Sequence, residues 1–152
     1  MGVAPASIET ERLQLVSVDP ASDTDYGIPD VLLERMRRHP ERAEWVTRLM
    51  RLRTTGEIAG HCGFHGPPEV IGRAEIGYTV FEPFRGRGFA TEAARELCNW
   101  AFAQGVEEVF ASVSPENAPS LAVVGTLGFV QVGTQEDEED GLELVFKLTP
   151  RP

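Results

Sequence analysis

Arg85-Gly86-Arg87-Gly88-Phe89-Ala90, followed by Thr91-Glu92-Ala93-Ala94, stands between a stretch that reads as a strand (residues 74–81) and one that reads as a helix. In the latter, Ala90, Ala94, Leu97, Cys98 and Ala101 recur at helical spacings up to residue 104, and Gly105 sits where a helix-ending glycine belongs. Glycines at 86 and 88 let the backbone curl so that successive N–H groups point into one concavity. The first helical turn adds unpaired N–H groups and the positive end of the helix dipole. Arg85 and Arg87 add charge. Together these parts suit a diphosphate.

Taken alone, the two glycines are equally compatible with a plain tight turn from strand to helix. A dinucleotide-binding turn fits less well, because Thr91 replaces the last glycine of GxGxxG and only about sixty residues follow, too few for repeated βαβ halves. The missing Gly-Lys-Ser/Thr excludes a nucleotide P-loop.

Outward from the loop, residues 12–18 read as a first strand and 19–29 as a Pro/Ser/Asp/Gly loop. Asp30 is placed to cap a helix carrying Val31, Leu32, Leu33 and Met36, which Pro40 stops. Residues 45–53 and 57–64 flank Thr54-Thr55-Gly56 as a hairpin, and Gly66-Pro67-Pro68 turns the chain into residues 74–81. Residues 106–113 read as a strand, and Asn117 as the N-cap of a short helix over 118–127 closed by Gly128. Residues 129–132 and 142–148 form two last strands around the acidic run 136–140, with Leu142, Leu144, Phe146 and Leu148 alternating as on a half-buried strand. The order predicts a layered α/β (α+β) domain. Its sheet is mixed and mostly antiparallel, with one parallel crossover from residue 74 to residue 113 and a ligand site near the C-terminal ends of the parallel pair.

The chain has 152 residues, a formal net charge of −10 and a pI near 4.7, which predicts one ordinary globular domain. Its acidity counts against non-specific nucleic-acid binding, and the cations, all Arg except Lys147, would leave phosphate contacts to guanidinium groups. Cys62 and Cys98 are too few for a disulfide framework. No apolar stretch is long enough to span a membrane, and the N-terminus lacks a signal-peptide or myristoylation pattern, so a cytoplasmic location is expected. His61 and His65 lie about 13 Å apart if on one strand, with Cys62 facing away, so no metal site is expected.

The loop 85–90 resembles the (Gln/Arg)-x-x-Gly-x-(Gly/Ala) acyl-CoA pyrophosphate loop of the GNAT superfamily of N-acetyltransferases. Ala74-Glu75-Ile76-Gly77-Tyr78 before it, and Asn117-Ala118-Pro119-Ser120 with Leu127-Gly128-Phe129 after it, resemble the branch holding the RimJ/RimL-type ribosomal-protein acetyltransferases. Glu11-Arg12-Leu13 resembles that branch's first strand. The resemblance implies a single acyl-CoA N-acyltransferase domain over residues 1–152 (core 11–149) in which the two parallel strands splay apart around the pantetheine arm.

By that resemblance the backbone of Tyr78, Thr79, Val80 and Phe81 would bind the arm, and Arg85, Gly86, Arg87, Gly88, Phe89, Ala90 and Thr91 would bind the pyrophosphate. Asn117 and Ser120 would meet the thioester end. Transfer of an acetyl group from acetyl-CoA to a primary amine needs a base, an oxyanion donor and an acid for the thiolate. Glu75 matches the position of a general base acting through water, and a backbone N–H near Val80 is suited to the oxyanion. Val124 stands where many members carry the acidic Tyr, which leaves Ser120, or water, to protonate the thiolate.

Plainer readings stand beside these: Glu75 as an ordinary half-exposed strand carboxylate, Asn117 as a helix cap, Ser120 as a helix-start hydroxyl. The region before residue 45 holds one helix where the family usually has two, and Gly125-Thr126 replace a basic residue common before Leu-Gly-Phe. The acceptor is left open between a protein N-terminus and a small amine. The acidic hairpin is either a solvated tip or a steering surface for a cationic amine. Homodimerisation through a terminal strand suits the fold but has no support in the sequence. A non-catalytic acyl-CoA-binding sensor or interaction module is the rival reading.

Overall fold

The computed structural model describes residues 6–151. Among them the strands are β1 Ile8–Glu9, β2 Leu13–Ser17, β3 Thr47–Leu52, β4 Ile58–Phe64, β5 Ala74–Val80, β6 Val109–Val113, β7 Val130–Asp137 and β8 Gly141–Leu148. They form one sheet in the order β1-β2-β3-β4-β5-β6-β8-β7. Every neighbouring pair is antiparallel except β5–β6, the expected parallel pair. The helices are α1 Asp30–Arg38, α2 Pro68–Ile71, α3 Phe89–Ala103 and α4 Ala118–Leu127.

Successive strand residues face opposite sides of a sheet, and β3 divides its neighbours accordingly. Met50 joins the main core, where α3 buries Ala93, Ala94, Leu97, Cys98 and Ala101. Leu49 joins a smaller cluster with Leu33 and Met36 of α1 and with Val46. Helices therefore cover both faces. Trp45 bridges to α3, with its ring 5.1 Å from Phe64 and 4.6 Å from Trp100. Aromatic pairs at such distances add to their area burial.

Local chemistry sets most boundaries. The Asn117 side chain accepts the Ser120 N–H at 3.2 Å, the expected N-cap, and Gly128 (φ 89°) ends α4 in the left-handed region. Four boundaries differ from expectation. Asp30 does not cap α1: Pro29 takes that place, its carbonyl accepting from Leu32 and Leu33, and Asp30 sits in the first turn with its charge at the positive helix end. Trp45 closes a 3-10 turn over Pro40–Trp45 rather than opening a strand. Val106 donates its N–H back to Ala101 at 3.3 Å, so β6 begins only at Val109. β7 runs to Asp137 instead of residue 132, because the ladder with β8 carries Glu136 and Asp137 to the tip with their side chains in solvent. On β8, Leu142 is exposed, and the buried residue is Val145, from the opposite face to Leu144 and Phe146. The short β1 and α2 have no counterpart among the elements that the sequence pattern predicts.

Leu97, fully buried in the middle of α3, fastens that helix to the sheet. Leu97→Ala is expected to destabilise the fold by about 2–5 kcal/mol. The denaturant midpoint should fall with an unchanged slope, and an unshifted midpoint would contradict this packing.

Candidate active site

β5 and β6 are paired only at Ala74–Val109 and Glu75–Phe110. Beyond those residues β5 follows β4 and β6 follows β8, and the strands part. The Phe81 N–H donates to Ala59, and the Glu75 carbonyl accepts from His65, both on the β4 side. Backbone groups alternate along a strand, so Ile76, Tyr78 and Val80 turn theirs into the gap. Of the four arm-binding candidates, Tyr78 and Val80 thus offer main-chain groups there, whereas those of Thr79 and Phe81 face β4. The Val80 carbonyl is held by Arg85 Nε at 3.0 Å.

A cavity of about 310 Å³ fills the gap, between Ile76, Gly77 and Tyr78 on one wall and residues 111–114 on the other. Asn117 and Ser120 reach it from α4, and Asp140 and Glu143 from the last hairpin. A second cavity of about 380 Å³ continues past Tyr78, Val80, Arg85, Ala90 and Ser120 towards the glycine loop. The Tyr78 hydroxyl donates to the Ser120 carbonyl at 3.4 Å, and burial pushes its pKa up against the effect of that bond.

Gly86 (φ 77°) and Gly88 (φ 81°) both occupy the left-handed region, which places Phe89 as the first residue of α3. The Glu92 N–H is bonded to the Gly88 carbonyl, and no side chain caps the helix. The amides of residues 89–91 therefore lack intrahelical acceptors and line up at the positive helix end. Phe89 is buried and anchors the turn. Exposed Arg85 and Arg87 flank it, and Arg12 lies 4.4 Å over the Phe89 ring while paired with Glu92 at 2.7 Å. This set can hold a diphosphate.

On the sheet face that carries α1, Glu75 is buried, unlike the half-exposed carboxylate of the plainer reading. Its Oε1 is 2.6 Å from Arg73 Nη2, and its Oε2 is 3.3 Å from His65 Nδ1. Arg73 also reaches Gln135 at 3.0 Å and Ser112 at 3.4 Å, so the carboxylate is tied to three further strands' worth of polar groups: Ser112 of β6, Gln135 of β7 and, through Gln135, Glu143 of β8. Desolvation lowers the His65 pKa below the ordinary imidazole range; Glu75 and Glu143 oppose this, and Arg35 and Arg73 reinforce it. Cys62 is buried in the main core, on the other face from His61 and His65.

The two cavities bring together Tyr78, Thr79, Val80, Arg85, Ala90, Asn117 and Ser120, whereas Glu75 lines a separate depression beside Arg35 and Arg73 that shares only His65 with the gap. Two groups at this site go beyond what the sequence pattern indicates: the His65 imidazole, which the sequence offers only as a metal-ligand candidate, and the Tyr78 hydroxyl. The backbone register that sets Glu75 opposite His65 was the signal for the first, but residues 66–73 between the two strands conceal it. Val124 is buried in the core and offers no hydroxyl.

Residues 17–130 match the family model described as an acetyltransferase (GNAT) domain. The N-acetyltransferase p20 of Bacillus licheniformis is 37% identical over 89 residues, 58% of this chain and 50% of p20. The chain spans about half the length of the curated relatives it matches. The acetyltransferase of Agrobacterium tumefaciens str. C58 superposes with a TM-score of 0.76 at 24% identity, covering 99% of this chain and 98% of that one. RimJ of Mycobacterium smegmatis, in complex with CoA-disulfide, gives a TM-score of 0.74 at 21% identity over 95% of this chain and 88% of RimJ. With a family model spanning the gap, the glycine loop and α4, and the same fold in those structures, the chain belongs to the GNAT acetyltransferase family.

Proposed function

We propose that residues 11–149 form one acyl-CoA-dependent N-acyltransferase domain that moves an acetyl group from acetyl-CoA to a primary amine. The observation that carries this is the unpaired stretch of β5 beside β6, continuous with the glycine loop at the start of α3. Within this reading, the N–H groups of residues 86–91, with Arg85 and Arg87, hold the pyrophosphate. Tyr78 and Val80 hydrogen-bond the pantetheine as if it were another strand, flanked by Thr79 and Phe81. Asn117 and Ser120 bracket the thioester. An unpaired N–H at Val80 faces the oxyanion.

The amine approaches from the face that carries Glu75, whose carboxylate the deprotonation depends on. Nitrogen attacks the carbonyl carbon, the C–S bond breaks, and the thiolate is protonated through Ser120 or water. Support for an amine-bearing acceptor, a peptide N-terminus or a small molecule, comes from the acid-rich rim formed by Asp140 and Glu143. The net charge of −10 speaks against nucleic acid as a partner. No helix among the described residues is long and apolar enough to cross a membrane, and the proposed place of action is the cytoplasm. The acid missing at Val124 favours a second reading, an acyl-CoA-binding module without turnover.

Thiol release from acetyl-CoA against a panel of amines separates the two readings. Turnover with at least one amine is expected; binding without turnover supports the module instead. Glu75→Gln should lower kcat by about 10²-fold while the affinity for acetyl-CoA is unchanged. Unchanged turnover at every pH would remove Glu75 from the chemistry. Gly88→Val, strained at φ 81°, should abolish the thermal stabilisation by acetyl-CoA, and full stabilisation would place the diphosphate elsewhere.

A further inference from the structure

We propose that the His65 imidazole takes the proton from the acceptor amine through Nε2, with Glu75 behind it as the positioning residue. The inference deepens the acetyl-transfer reading above and rests on it.

His65 lines the gap between β5 and β6, the groove between α1 and β4, and the depression beside Arg35 and Arg73. An acceptor arriving on this face meets the imidazole, whose side chain is 39% exposed, before the carboxylate of Glu75 at 10%. Arg73 occupies Glu75 Oε1, so the remaining oxygen is the one turned to His65.

The His65 N–H donates to the Glu75 carbonyl at 2.9 Å, and the His65 carbonyl accepts from the Arg35 guanidinium. The ring lies over Gly77, where a Cβ would stand 3.0 Å from Nε2; any larger residue there would displace it. Nδ1 stands 3.3 Å from the Glu75 carboxylate without a formed hydrogen bond, and in this proposal the neutral ring carries its proton on Nδ1, on the side of that negative charge, which leaves the Nε2 lone pair to the amine. Such contacts commonly shorten when substrate binds.

The charged groups facing the ring are Glu75 of β5, Arg73 just before β5, Arg35 of α1 and Glu143 of β8. His61 of β4 shares the α1 groove, and Asp140 of the last turn shares the gap. Burial keeps the ring neutral near pH 7, the form a base needs. In the step itself Nε2 first takes a proton from the acceptor's ammonium form and releases it to solvent, the freed lone pair forms the C–N bond, and the C–S electron pair departs on sulfur. The surplus proton on nitrogen passes to His65 Nε2. Sulfur takes a proton from solvent, directly or through Ser120, and His65 returns its proton to solvent.

The test is His65→Ala in the full chain, assayed by thiol release with the best amine of the panel. kcat should fall by about 10²–10⁴-fold with acetyl-CoA affinity unchanged, and added imidazole should restore part of it in His65→Ala but not in Glu75→Gln. The wild-type kcat should decline in acid with a midpoint below about 6.5. Glu75→Gln should move that midpoint lower, since the lost negative charge favoured the imidazolium, and His65→Ala should lack it. Independently of turnover, ¹⁵N spectra of the neutral His65 ring should carry the proton on Nδ1. Wild-type turnover in His65→Ala, an Nε2-protonated ring, or an acid limb lost in Glu75→Gln but kept in His65→Ala would overturn the proposal alone. A wild-type protein that binds acetyl-CoA and releases no thiol would overturn the acetyl-transfer reading, and this proposal with it.

Discussion

Backbone pairing between β5 and β6 stops after Glu75 and Phe110, and the rest of the site depends on that break. Each strand keeps its other neighbour, β4 for one and β8 for the other, so both walls of the gap are held in place. An interior strand with free N–H and C=O groups is costly unless water or a ligand satisfies them, at about 1–3 kcal/mol for each group left bare. A ligand with alternating amide groups meets that demand without reorganising the sheet. The glycine turn and the bare helix end then supply positive potential at one mouth of the gap.

At the closed end of the gap, a polar network keeps the strands in register where their main chains separate. Arg73 grips Glu75 on β5, Ser112 on β6 and Gln135 on β7, and stacks 5.1 Å from the Phe110 ring. An ion pair between a buried carboxylate and a partly exposed guanidinium contributes little net stability after desolvation, but it fixes geometry. Here it fixes the orientation of the Glu75 carboxylate at the last residue of β5 paired with β6. At the open end, Glu92 plays a comparable part by tying Thr10 and Arg12 to the first turn of α3.

Features governed by neighbouring residues were legible in the sequence. Gly86 and Gly88, the Asn117 cap, the helical spacing from Ala90 to Ala101 and the strand–helix–strand crossover follow from local geometry, and all appear in the structure. Features governed by distant partners were not. β7 extends through an acidic run of poor strand propensity because β8 pairs with it, and Pro29 displaces Asp30 from the cap. The burial of Glu75 depends on Arg73, Gln135 and Ser112 converging from several strands. His65 was visible as a residue, but its meeting with Glu75 is a matter of hairpin register across a long turn.

The most direct measurement is a crystal structure of the protein with coenzyme A. The diphosphate should sit on the amides of residues 86–91, and the pantetheine should lie between β5 and β6, bonded to the main chain of Tyr78 and Val80. A nucleotide bound elsewhere, or a sheet in which β5 and β6 pair along their full length, would contradict the proposed site.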